Sequence, residues 1–158
     1  MKKTFNYTII LAVTIIVGCQ GYCDRGKEKI PHNESISASH LGAWEMVYFQ
    51  SIKGIDTTEI IAKDEPLAIT LMTPSHFSYQ WKNSSNSGAG TYTYDGKIIR
   101  EEFKYYKDSN FVGAVLSFNM AVRNDSIIFS GPISAVSSNG KDLLNQIPQM
   151  LEIRRKAK

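Results

Sequence analysis

From Gly42 to Arg155 large apolar side chains recur at every second position, in short runs broken by glycine, proline, asparagine and aspartate. A period of two is the repeat of an extended strand with one face buried, and no stretch here sustains the 3.6-residue period of a long helix. The chain is therefore expected to be all-β. The pattern predicts strands over 43–51, 67–73, 76–82, 90–94, 97–105, 113–123, 126–130 and 149–155. Asp95-Gly96 has the composition of a type I′ hairpin, and Asn124-Asp125 makes a second two-residue joint, so the strands on either side should pair antiparallel. Pro74 marks a third break, because proline cannot donate to a ladder. Asn83 to Gly88 reads as a hairpin tip. Two connections are longer. One is residues 53–66, between the first two strands, and the other, residues 132–148, carries a short helical turn near 141–145, before the last strand.

The first residues are expected to be an address and not part of the domain. Lys2 and Lys3 precede an apolar run, Tyr7 to Val17, that is well short of the roughly 20 residues of a membrane span. Ile16-Val17-Gly18-Cys19 then matches a bacterial lipobox, which predicts a lipoprotein signal peptide over 1–18 and lipidation of the Cys19 thiol. Two or three acyl chains such as palmitate anchor a protein stably where one would be marginal. Polar, unpatterned residues 19–39 read as a tether that holds the domain on the order of 25 Å from the bilayer. Gln20, where an inner-membrane retention signal would place aspartate, favours the outer membrane of a bacterial envelope. Cys23 reads as an incidental residue of the tether.

Loss of Lys2 and Lys3 with the signal leaves 16 basic against 15 acidic side chains, so the basic balance of the whole chain is partly the signal's. Nucleic acid, which asks for a concentrated basic stripe, is not expected as a partner. The basic end, Arg154 to Lys158, reads as a solvated tail. His32, His40 and His76 lack the spacing of metal ligands, and Gly88-Ala89-Gly90 is followed by neither a phosphate-binding lysine nor a helix. Glu101 and Glu102 are consecutive and point to opposite faces of a strand, so they do not form a cooperating carboxylate pair. No catalytic residue, metal or cofactor is expected.

Gly42-Ala43-Trp44, at the head of the first strand, resembles the Gly-x-Trp signature of lipocalin-type barrels. The segments Met72–Phe77, Gly88–Tyr94 and Asn124–Gly131 are similar to those of small bacterial lipocalin-like domains of unassigned role. The resemblance spans about residues 40–156 and implies an antiparallel up-and-down β-barrel of about eight strands over 40–158. It also implies that Trp44 closes the barrel floor beside Gly42, with a guanidinium from Arg154 or Arg155 packed across the indole, and that residues 53–66 lie over the mouth as a candidate lid.

With Trp44 inward, simple alternation also directs Met46 and Tyr48 inward. The more apolar phase of the other strands would place Leu67, Ile69 and Leu71 inside, together with Phe77, Tyr79 and Trp81. Tyr92, Tyr94, Ile99, Glu101, Phe103, Tyr105 and Phe118 join them. Glu101 is out of place there, since a carboxylate inside a barrel must be paired, hydrogen-bonded or protonated. Tyr48, Tyr79, Tyr92, Tyr94, Glu101, Phe103, Tyr105 and Phe118 are accordingly the expected lining of a site for a small hydrophobic or amphipathic molecule. The alternative is a filled barrel whose mouth loops grip a protein partner. An eight-stranded barrel has room for either arrangement.

Overall fold

The computed structural model describes residues 38–158. Cys19, the expected signal peptide and residues 19–37 of the expected tether lie outside the described residues. Nine strands follow a single 3₁₀ turn, Ala38–His40: β1 (Gly42–Lys53), β2 (Asp56–Ile61), β3 (Ala68–Met72), β4 (His76–Trp81), β5 (Ser87–Tyr94), β6 (Ile98–Tyr106), β7 (Val115–Arg123), β8 (Ser126–Val136) and β9 (Gln149–Lys156). The expected boundary at residue 40 falls inside that turn. Strands β3 to β9 pair in sequence order, and β1 closes the ring by pairing with both β3 and β9. The product is a closed, antiparallel, up-and-down barrel of eight strands, as the sequence predicts.

β2 is the ninth strand and stands outside the ring. It occupies the mouth half of the β1 edge, Tyr48 to Lys53, while β3 occupies the other half, Gly42 to Met46. All six of its residues are exposed, and the patternless Thr-Thr-Glu stretch accounts for its absence from the strands predicted from sequence. At the 94–97 joint only Gly96 has positive φ, 93°, so the turn is not type I′. Instead the Asp95 carboxylate accepts the N–H groups of Lys97 and Ile98, at 3.0 and 2.7 Å. The short helical element before β9 is a 3₁₀ turn at Leu144–Gln146.

Two bulges decide which side chains enter the barrel. Opposite β9, β1 carries one extra residue between Met46 and Tyr48, and β6 carries one between Phe103 and Tyr105 opposite β5. One extra residue turns all that follow it to the other face. Phe49 and Tyr106 therefore point inward, whereas Tyr48 and Tyr105 face out, and Tyr105 is 75% exposed. Both tyrosines had been expected inside because simple alternation takes no account of a bulge.

β3 is inverted as a whole. Ala68, Thr70 and Met72 are buried, while Ile69 and Leu71 are 46% and 51% exposed. The register supplies the reason: Thr70 lies between Trp44 and Tyr79, and Ala68 between Met46 and Trp81. Small residues face in where their neighbours on both sides are large, as close packing requires.

The floor of the barrel is packed solid. Trp44 is fully buried and donates its indole N–H to the His40 carbonyl at 2.8 Å. Lys156 is its cross-strand partner; its ammonium lies 4.7 Å from the indole centroid and donates to the Leu41 carbonyl at 2.6 Å. The cation that closes the barrel is thus Lys156, not Arg154 or Arg155 as expected. Arg155 is paired with Glu45 on the outer face, and Arg154 faces the interior one step further up, opposite Met46. The reason is register: β9 runs to Lys156, so the two arginines fall short of the floor.

Truncating Trp44 to alanine should lower stability in urea denaturation by about 3–5 kcal/mol. Lys156→Ala should cost about 0.5–1 kcal/mol through the lost cation–π contact. A loss for Arg155→Ala that exceeds the loss for Lys156→Ala would contradict this assignment.

Candidate functional site

Above the filled floor the barrel opens into a cavity of about 320 Å³. Its walls are aromatic. Phe49 and Trp81 meet edge to face at 4.9 Å, Phe77 and Phe103 at 5.3 Å, and Phe103 and Tyr106 at 5.3 Å. Tyr106 continues the chain of rings to Phe111 on the loop between β6 and β7. Gly88 makes this packing possible, because a Cβ there would lie 2.8 Å from the Tyr79 ring and 3.0 Å from Phe103. Gln146, Ile147 and Pro148, just ahead of β9, complete the rim, while no residue of 53–66 lines the cavity. The connection that lines the mouth is therefore β8–β9 and not the expected lid over 53–66.

The polar groups on this wall are few and unevenly satisfied. Thr70 Oγ1 and Asn86 Oδ1 are buried without a hydrogen-bond partner among the described residues, and both residues line the cavity. Buried polar atoms of folded proteins are nearly always paired, so unpartnered ones in a cavity wall mark places where a bound molecule gains hydrogen bonds. Arg154 is engaged: its Nε donates to Glu152 Oε2 at 3.1 Å, its Nη2 donates to the same oxygen, and the guanidinium lies 4.3 Å from the Phe129 ring centroid.

Glu101 is the group that sets the chemistry. Only 8% exposed and lining the cavity, it receives no hydrogen bond from any described residue. Burial pushes its carboxyl up from the ordinary 4.5 to about 7, against the pull of Arg154 and with a further push from Glu152. Burial also raises the Tyr79 phenol far beyond its usual range, with Tyr106 and Glu101 adding to the effect.

Of the residues expected to line a site, the structure brings together Tyr79, Glu101, Phe103 and Phe118. Tyr92 and Tyr94 face inward but belong to the floor. The Tyr92 hydroxyl donates to the Thr73 carbonyl at 2.6 Å and accepts from His40 Nε2 at 3.0 Å, and the Tyr94 hydroxyl donates to the Met120 carbonyl at 3.3 Å. Because the single Tyr92 proton goes to Thr73, His40 must carry its proton on Nε2. Tyr48 and Tyr105 lie outside for the reason given above. Phe49, Thr70, Asn86, Tyr106, Phe111, Phe129, Met150, Glu152 and Arg154 line the cavity without having been expected to. For the β9 group a signal was present, since Met150, Glu152 and Arg154 share the alternation that ends at Lys156.

The fold and this site together define a closed eight-stranded antiparallel barrel with an internal, aromatic, weakly acidic cavity. The chain matches no protein-family model, no curated protein and no solved structure.

The charge state of Glu101 is coupled to folding. Its carboxyl holds a proton more tightly in the folded barrel than in the unfolded chain, so the folded state binds more protons between pH 4.5 and about 7. Stability contributed by the protonated group is complete below that window and lost as pH rises through it, by roughly 3 kcal/mol in all. The ionisable groups acting on it are Arg154 and Glu152 from β9, Tyr79 from β4 and Tyr92 from β5. Urea denaturation as a function of pH should show this decline, and Glu101→Gln should abolish it and be the more stable protein above neutrality. An unchanged slope in that variant would place the titration elsewhere.

Proposed function

We propose that the protein is a lipid-anchored bacterial envelope lipoprotein of lipocalin-like type whose barrel binds a small apolar or amphipathic molecule and performs no chemistry on it. The observation that carries the reading is the cavity itself. Its volume falls at the lower end of the usual range for small-molecule sites, and it combines aromatic walls with a few unsatisfied polar groups, the composition such sites share. At roughly 30 Å³ for each water-sized unit, it accommodates about ten non-hydrogen atoms. The filled-barrel reading, with a protein partner gripped at the mouth, has less support, because the interior leaves an open volume of about 320 Å³. The lipobox at Cys19 and the polar segment after it support the anchor and the outer-membrane placement.

Trp81 lines the cavity and Trp44 the floor, so ligand entry has a built-in reporter. Titration with 1-octanol, which fills the estimated volume, should shift tryptophan emission saturably, and the change should vanish in Trp81→Phe. Absence of any saturable change, together with a flat calorimetric titration, would refute the binding reading. For the anchor, Cys19→Ser should move the protein from the membrane to the soluble fraction, and recovery of that variant with membranes would refute lipidation.

A further inference from the structure

On the reading that the cavity is a ligand site, we infer that its cargo carries a cationic amine head, held by the Glu101 carboxylate among the aromatic rings. Among the described residues, the cavity-lining side chains of the acidic and basic types are three: Glu101, Glu152 and Arg154. Their balance is acidic. The one guanidinium is already committed, with two of its nitrogens on Glu152 and its plane beside Phe129. Glu152 therefore has its counter-ion, while Glu101 has neither an ion pair nor a hydrogen bond from any described residue.

An ionised carboxylate inside a barrel needs a partner, and the partner missing here is a donor of positive charge. An ammonium meets that need twice over. It makes a charge-assisted hydrogen bond to Glu101, and it is attracted by the aromatic rings of the wall, Phe77, Phe103 and Phe118 among them. The opposite choice is poor. A ligand carboxylate would be the third acid in a chamber with one base, and reaching Arg154 would mean competing with Glu152. A neutral alcohol satisfies Thr70 Oγ1 or Asn86 Oδ1 but leaves Glu101 protonated or bare. Burial's upward push on the Glu101 carboxyl fits the same reading, because a bound cation would reverse it and so couple ligand uptake to proton release.

The test compares three molecules with one tail and different heads, octylammonium, 1-octanol and octanoate, by calorimetric titration of the whole protein at about pH 8, where Glu101 is largely ionised. Octylammonium should bind roughly tenfold or more tightly than 1-octanol, and octanoate should bind weakest. Glu101→Gln should bring octylammonium to within about threefold of 1-octanol in that same variant. Glu101→Asp, which keeps the charge, should retain part of the preference. Octanoate as the tightest of the three would assign head recognition to Arg154 and overturn the inference. Equal affinities, or a preference that survives Glu101→Gln, would also overturn it and leave the binding function standing. Binding by none of the three would remove both.

Discussion

The whole arrangement depends on two extra residues, one in β1 and one in β6, placed halfway up the barrel wall. In a sheet the side-chain period is two, so a one-residue bulge exchanges the inner and outer faces of everything beyond it. Below the bulges, Trp44, Met46, Ile99 and Phe103 face in; above them, Phe49 and Tyr106 do. Without the extra residues Tyr48 and Tyr105 would enter the mouth, and the ring chain that joins Phe49 to Trp81 and Phe103 to Phe111 would not form. At the β5–β6 bulge Gly90 is also required, since a side chain there would collide with the Glu102 carbonyl.

The floor and the cavity wall have opposite physical character. In the floor half polar groups find partners: the Trp44 indole and the Tyr92 and Tyr94 hydroxyls all donate to main-chain carbonyls, and Lys156 covers the indole. That half holds the fold together. Along the cavity wall, by contrast, Thr70, Asn86 and Glu101 carry polar atoms with no hydrogen-bond partner among the described residues, and one buried carboxyl is destabilising once ionised. A site that leaves such groups unsatisfied is less stable than an apolar core of the same shape, so its composition is not explained by what it adds to folding and fits the proposed binding role. The aromatic walls suit a binding role, since ring-to-ring packing keeps them rigid around an open volume.

Much of this was legible in the sequence. The all-β class, the antiparallel order, the floor tryptophan and the inward Glu101 all follow from period-two patterning and tight turns, which are local properties. What alternation could not convey is register across strands. The bulges at Val47 and Lys104 leave no local mark, so Tyr48 and Tyr105 were placed on the wrong face. β3 misled for another reason: Leu67, Ile69 and Leu71 are its most apolar residues, yet Thr70 and Ala68 face inward because Trp44, Tyr79 and Trp81 already fill that space. Polar β2 shows no alternation at all, and its strand form comes from the free edge that β1 offers it. Lys156 was passed over because a basic C-terminal run resembles a solvated tail.

The account stands or falls on which side chains fill the mouth half, and through-space proton couplings between aromatic rings report that directly. Nuclear Overhauser spectra should show Phe49 in contact with Trp81, and Phe103 in contact with Tyr106, with no interior contacts from Tyr48 or Tyr105. Couplings from Tyr48 or Tyr105 to Phe77, Phe103 or Phe118 would show a barrel without the bulges, and the cavity described here would not exist in that form.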